Sequence, residues 1–199
     1  MVKRLFVAIL ILLVGCSAFA ASETDEAIHQ ELRDLLHGIE NAINSQKYID
    51  LEPYFDEKMR VTTINQEVLL SRSEIGGYFK KWFGPSGYLK KLRMTLTPDA
   101  LTEFYGNKTI GIVIGSGDED YILADGRNFD LKTRWTATVI KGSDGKWRIL
   151  ALHIGTNFLD NPILTKAEAA LIYFAGGGLI GGLLIGGLIC FVLMRRKKT

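Results

Sequence analysis

The sequence predicts an α+β domain followed by one membrane-spanning helix. Three observations predict it. Apolar residues recur every three or four positions through residues 24–46, the period of a helix with one buried face. From Leu92 onward the period becomes two, which is that of strands with one buried face. Helices first and a meander of strands afterwards mean α+β. Finally, residues 169–194 contain no charged side chain, and about 20 apolar residues suffice to cross a bilayer as a helix. A chain of 199 residues has room for one such domain plus targeting segments.

The elements follow in chain order. Residues 1–20 read as a signal peptide: Lys3-Arg4 form the basic start, Phe6 to Val14 the apolar run, and Ala18-Phe19-Ala20 the cleavage site. Leu13-Val14-Gly15-Cys16 also resembles a bacterial lipobox, which makes Cys16 a candidate for lipidation. Cleavage after Ala20 and lipidation at Cys16 both stay open.

Residues 21–156 form the domain. In its first helix Ile28, Leu32, Leu35, Leu36, Ile39 and Ile43 make one apolar stripe, capped by Ser22 or Thr24. Residues 48–56 read as a short second helix burying Ile49, Leu51, Tyr54 and Phe55. Ser71-Arg72-Ser73-Glu74 is a capping box that opens a third, and Gly84-Pro85-Ser86-Gly87 stops it. Strands are expected at 92–96, 100–105, 109–114, 134–140 and 147–154. Gly115-Ser116-Gly117-Asp118 and Asp125-Gly126 read as turns, and Ser143-Asp144-Gly145 as the hairpin between the last two strands. The acidic run Asp118-Glu119-Asp120 is expected to face solvent.

Residues 157–168 read as a tether, 169–194 as the transmembrane helix and 195–199 as a basic tail. The tail places itself in the cytoplasm by the positive-inside rule. The domain then lies outside, periplasmic or extracellular in a bacterium and luminal or extracellular in a eukaryote, and the lipobox-like signal favours a bacterial inner membrane. Gly178, Gly182 and Gly186 lie four apart near one helix face, where a second helix can approach closely. The alternative is that glycine is simply common in spanning helices.

Charge and motifs narrow the function. Residues 21–169 carry 18 basic and all 22 acidic side chains, so no nucleic-acid partner is expected. No phosphate loop, dinucleotide loop or nucleophile elbow occurs. His29 and His37 are eight residues apart on the first helix, too far to chelate one metal. No cofactor and no metal are expected.

The motifs Tyr48-Ile49-Asp50-Leu51-Glu52-Pro53-Tyr54-Phe55-Asp56-Glu57, Ser73 to Phe83, Arg134 to Val139 and Asp144 to Ile149 stand in a familiar order. Over residues 24–156 the chain resembles the nuclear transport factor 2-like (NTF2-like) superfamily, including SnoaL-like and ketosteroid-isomerase-like domains. The resemblance implies a curved antiparallel sheet wrapped by about three helices around a cone-shaped interior. It implies dimers through the open sheet face, and either enzymes acting on small apolar molecules or binding and assembly modules. His153 resembles a histidine frequent on the family's last strand. Eight residues after Phe55, near where the isomerase branch is similar in having its carboxylate base, this chain has Thr63. Thr is unsuited to abstract a proton.

The candidate catalytic residues are His153 as acid or base, with Asp130 and Tyr121 assisting. The other reading of His153 is a histidine held by a side-chain or backbone bond at the sheet end. Asp130 with Arg134 reads as a buried polar pair, or as two residues that simply face solvent. Tyr78, Trp82, Tyr105 and Trp135 are candidate pocket-lining aromatics, or ordinary core. Two functions remain. One is a membrane-anchored small-molecule-binding or assembly domain, partnered by an apolar ligand, membrane lipid, a second copy or a membrane protein. The other is a tethered isomerase, dehydratase or cyclase.

Overall fold

The computed structural model describes residues 25–196. The expected signal sequence, Cys16 and the Ser22 and Thr24 caps lie outside them. The chain divides into two compact units, Met1–Thr156 and Asn157–Thr199.

In the first unit, helix α1 covers residues 25–44. Its stripe is the expected one: Leu32, Ile39, Ala42 and Ile43 are buried, and Ile28 and Leu35 pack at the margin. The helix ends where Gln46 turns left-handed and the N–H groups of Gln46 and Lys47 return to the carbonyls of Ile43 and Ala42, which satisfies two orphan acceptors. The expected second helix is a 3-10 segment, Tyr48–Tyr54. It buries Leu51, but Ile49 is 65% exposed. A tight three-residue turn with Pro53 inside it presents fewer positions inward than an α-helix.

Helix α2 is Ile75–Phe83, preceded by a 3-10 turn, Arg72–Glu74. The expected capping box does not form, because the Ser71 side chain caps no backbone N–H. Ser71 Oγ donates to Glu74 Oε1 at 3.0 Å, and Glu74 Oε2 accepts from the N–H of Leu70 at 3.2 Å. Gly84 closes the helix through its N–H to the Lys80 carbonyl.

Seven strands make one sheet: β1 Phe55–Thr62, β2 Val68–Leu69, β3 Leu89–Pro98, β4 Glu103–Tyr105, β5 Ile110–Leu123, β6 Asn128–Lys141 and β7 Trp147–Thr156. Their order is β2-β1-β7-β6-β5-β3, with β4 also on β5. The meander is antiparallel as expected, but β1 joins β7 in parallel. Strand β1 hides in the sequence because a register shift between Phe55 and Arg60 breaks its alternation. It buries Phe55, Met59 and Val61. The free edge of β3 is covered from α1: Asn44 donates to the Met94 carbonyl at 2.9 Å and accepts from the Met94 N–H at 2.8 Å. A covered edge cannot pair with a stray strand.

The largest departure is β5. The segment Gly115-Ser116-Gly117-Asp118 is not a turn but the middle of a 14-residue strand. Its glycines make room for interior side chains. A Cβ at Gly115 would lie 2.2 Å from Trp135 Cζ2, and one at Gly117 would lie 2.6 Å from Thr133 Oγ1. The turns at Asp125-Gly126 and Asp144-Gly145 form as expected, each with its glycine at positive φ.

The second unit contains helix α3, Pro162–Arg196, which therefore includes part of the stretch read as a tether. Asn161 caps it by accepting from the N–H groups of Ile163 and Leu164 at 3.1 and 3.0 Å. Pro162 in the first position lacks the N–H that would have gone unpaired there. None of its 35 residues is buried. It is long and apolar enough to cross a membrane. A Cβ added at Gly178, Gly182 or Gly186 would meet nothing within 4 Å.

Candidate functional site

Alternation along β5 and β6 divides the sheet into an inner and an outer face. On β5 the inward set includes Gly117, Glu119, Tyr121 and Leu123; on β6 it includes Leu131, Thr133, Trp135, Ala137 and Val139. Among these apolar neighbours sits one acid. Glu119 is 4% exposed and Thr133 2% exposed. Thr133 Oγ1 donates to Glu119 Oε1 at 2.7 Å, and the Tyr121 hydroxyl donates to Oε2 at 2.5 Å. Both carboxyl oxygens are thus held by hydroxyls. No cation among the described residues pairs with Glu119.

This environment favours the neutral acid. Burial raises the Glu119 carboxyl above its usual range, and the two hydroxyl bonds counter that only in part. Burial, then the charge of Glu119, drives the Tyr121 phenol far up. Tyr78, on α2, is raised by burial and by the nearby charges of Glu67 and Glu119. Burial thus raises one acid and two phenols in this interior.

A second network stands beside Tyr78. Its hydroxyl donates to Asn65 Oδ1 at 3.2 Å, which also accepts from Thr63 Oγ1 at 2.5 Å. Asn65 and the indole N–H of Trp82 donate to Glu67 Oε1 at 3.0 and 2.7 Å, and Lys81 donates to Oε2 at 2.9 Å. The bond from Lys81 leads in holding the Glu67 carboxyl below its usual range. Thr63 is buried. The fold therefore has no carboxylate at that position and carries one instead on β5.

Of the three residues assigned to catalysis, only Tyr121 belongs to this interior. His153 is exposed. The expectation that it shares a face with Trp147 and Ile149 fails because of an irregularity in β7. Val139 pairs with Ile149 and Thr138 with Ala151, so Leu150 is an extra residue. Beyond it the parity inverts. Leu152 packs against the core, and His153 turns outward between Thr136 and Thr62. Asp130 is likewise exposed and lies across from Asp120 on the outer face. It makes no pair with Arg134, which ion-pairs with Asp99.

The aromatics divide similarly. Tyr78 and Trp82 are half-buried in the network just described. Trp135 is buried over Gly115, its indole N–H bonded to the Ser116 carbonyl at 3.0 Å. Tyr105 is 49% exposed and bonds Glu103, away from the interior. Tyr48, stacked on Phe79 with ring centroids 4.2 Å apart, buries a hydroxyl that has no partner among the described residues.

A groove of about 600 Å³ is lined by the charged Lys91, Arg93, Asp118, Asp120, Asp130 and Lys132, and also by Met94, Glu119 and Leu131. No group of three residues suited to holding a metal ion occurs among the described residues.

Glu119 is the functional candidate that sequence reasoning missed. The signal was present in period two: Glu119 and Tyr121 are two apart, in line with Gly117. It was masked by the turn-like glycines and by two flanking aspartates.

No protein-family model matches the chain, and no curated protein matches its sequence. Solved structures do match. A candidate scytalone dehydratase from Novosphingobium aromaticivorans is 13% identical with a TM-score of 0.60, covering 69% of this chain and 89% of that one. The hexachlorocyclohexane dehydrochlorinase LinA-type3 from Novosphingobium barchaimii is 14% identical with a TM-score of 0.59, covering 68% and 91%. An uncharacterised protein with a cystatin-like fold from Caulobacter vibrioides is 15% identical with a TM-score of 0.54, covering 71% and 96%. At such identities the likeness concerns the fold alone, and function follows the site rather than the fold. The domain has the cone-shaped NTF2-like fold, a curved open sheet wrapped by helices.

Proposed function

We propose that this protein holds a small-molecule-binding domain outside the cytoplasmic membrane of a bacterium, fixed there by α3. The observation that carries the reading is the Glu119–Tyr121–Thr133 cluster. Burying an acid costs stability that hydrogen bonds only offset, and buried acids with raised pKa values cluster at functional sites. Here it is the polar point of an otherwise apolar interior, the usual composition of a ligand site. Its ligand is an apolar molecule bearing an oxygen function. The orphaned Tyr48 hydroxyl supports the same reading, because a buried hydroxyl without a partner costs about 1–3 kcal/mol. Tyr78, Trp82 and Trp135 supply apolar surface, and Tyr121 the polar contact. The dehydrochlorinase of similar fold, whose name specifies hexachlorocyclohexane, is consistent with a small apolar ligand.

The catalytic alternative loses its acid and base with His153 and Asp130 on the outer face. Binding is therefore the reading favoured here. The exposed Ile112 and Ile114 of β5 support pairing of two copies through the outer sheet face. The Gly178, Gly182 and Gly186 face supports helix association within the membrane. Lipidation at Cys16 would add a second anchor. The basic residues after Met194 support a cytoplasmic tail.

The test uses the full chain purified from its host membrane. Solvent extraction and mass spectrometry are expected to find an apolar oxygen-bearing compound that Tyr121→Phe reduces. Wild type and variant carrying the same compounds at the same level would refute the reading. Protease added to intact spheroplasts is expected to digest the domain and spare the tail.

A further inference from the structure

We propose that residues 158–171 form an interfacial foot, whose apolar side chains lie in the outer headgroup layer of the bilayer and hold α3 tilted within it. The proposal rests on α3 crossing the membrane with its basic end inside.

The foot begins as a turn that satisfies its own backbone. Asn157 Oδ1 accepts from the Leu159 N–H at 3.0 Å, and Asn161 Nδ2 donates to the carbonyls of Asn157 and Phe158 at 3.0 and 3.2 Å. The Asn161 carbonyl accepts from the N–H and the hydroxyl of Thr165, at 3.1 and 3.2 Å. So ordered, the turn displays two large apolar side chains: Phe158 is 79% and Leu159 75% exposed. Ile163 and Leu164 follow in the first turn of α3 and are exposed as well. A single exposed leucine is ordinary, but a group of four large apolar side chains marks a surface that something covers.

The pattern identifies the cover as lipid. Ile163, Ala167, Leu171 and Phe174 recur every four, four and three residues, so they form one row along the helix. Thr165, Lys166 and Glu168 fall outside that row. The row runs without a break from the capped end of α3 into the charge-free span. A helix segment that is apolar on one side and charged on the other lies between acyl chains and water.

The lengths agree. The charge-free residues 169–194 measure about 39 Å at 1.5 Å each, against a hydrocarbon core of about 30 Å. A span longer than the core tilts. Ile163 precedes Ala169 by six residues, or about 9 Å along the axis. The headgroup layer is about 5–8 Å deep on each side. In an upright helix the foot would stand clear of that layer, in water. Tilting takes the charge-free stretch into the core and brings the foot down onto the headgroups. Its apolar row then faces the lipid, and Lys166 and Glu168 stay on the sides open to water. Interfacial anchors of this kind set the direction in which a tilted helix leans.

The experiment places a fluorophore on single cysteines of the full-length chain, in a Cys16→Ala, Cys190→Ala background, reconstituted in vesicles of phosphatidylcholine and phosphatidylglycerol. Two quenchers report the surroundings: phosphatidylcholine spin-labelled near the top of its acyl chain, and iodide in the water on both sides. Labels at Leu159→Cys and Ile163→Cys are expected to lose most of their emission to the lipid quencher and little to iodide. A label at Thr165→Cys, two residues along but on the other side of the helix, is expected to do the reverse. Iodide quenching at 159 and 163 equal to that at 165 overturns the proposal and leaves α3 as an anchor without a foot. Shielding of 159 and 163 from both quenchers also overturns it, because a protein surface then covers them. Release of the chain from the vesicles by alkaline carbonate overturns the spanning reading together with the foot.

Discussion

Glu119 and Asp118 are adjacent carboxylates on one strand, and they live under opposite rules. Asp118 faces outward with the other charges of the groove. The outward Asp99 shows what that face does to an acid: its bond to the Arg134 guanidinium lowers its carboxyl below the usual range. Solvent and a cation keep it charged. One residue along, Glu119 is stripped of water and given only hydroxyls, and its carboxyl rises. The same chemical group becomes a salt-bridge partner or a proton-holding polar point, according to the parity of its position. A sheet with one wet and one dry face makes that choice once per residue.

The most severe way to break the contrast is to fill the space beneath the interior side chains. Gly115→Val places a branched side chain where Trp135 lies. It is expected to destabilise the domain by about 3 kcal/mol or to prevent folding, read from a denaturant melt. An unchanged midpoint would mean that Trp135 does not pack there.

Next in size is the loss of a hydroxyl. Thr133→Val keeps the volume but deprives Glu119 Oε1 of its donor. A loss of about 1–3 kcal/mol is expected at neutral pH. It should shrink in acid, where the carboxyl is neutral in both proteins.

Glu119→Gln sharpens the comparison through pH. The folded carboxyl is raised, so the native state holds its proton more tightly than the unfolded chain does. That contribution is complete below the ordinary glutamate value of 4.5. It is lost as pH rises from there through the folded value. The melting temperature of Glu119→Gln is therefore expected to exceed that of wild type at pH near 8 and to match it near 4. The reverse trend would show that the carboxyl is lowered rather than raised.

The smallest effect belongs to the outer face. His153→Ala is expected to shift stability by no more than about 0.5 kcal/mol, as at an ordinary surface position. It should leave the co-purifying compound in place. Loss of that compound would return His153 to the site.

How much could be read in advance differs by element. The stripe of α1, the Asp-Gly turns and the apolar α3 are local patterns, and each formed where its spacing indicated. Strand β1 was not legible, because its partner β7 is some ninety residues away and a bulge interrupts its alternation. The middle of β5 was misread for a related reason. Gly-Ser-Gly-Asp is locally a turn, and only Trp135 and Thr133 on the neighbouring strand explain why glycines stand there. His153 was placed on the wrong face by a single extra residue, Leu150, whose presence in the ladder no local rule announces. Three of the four aromatic assignments and one of the three catalytic ones kept a buried or half-buried position, and His153 lost its own because a parity slip moves every residue beyond it.

By itself, the sequence determined the class of the domain, the order of helices before strands, and the apolar helix that follows. Those depend on periods and on the absence of charge, which neighbouring residues define among themselves. Which strands pair, where a bulge resets the alternation, and which carboxylate is buried were decided only by the tertiary structure. Each is a contact between distant segments. The state of an acid such as Glu119 depends on water excluded by all of them together.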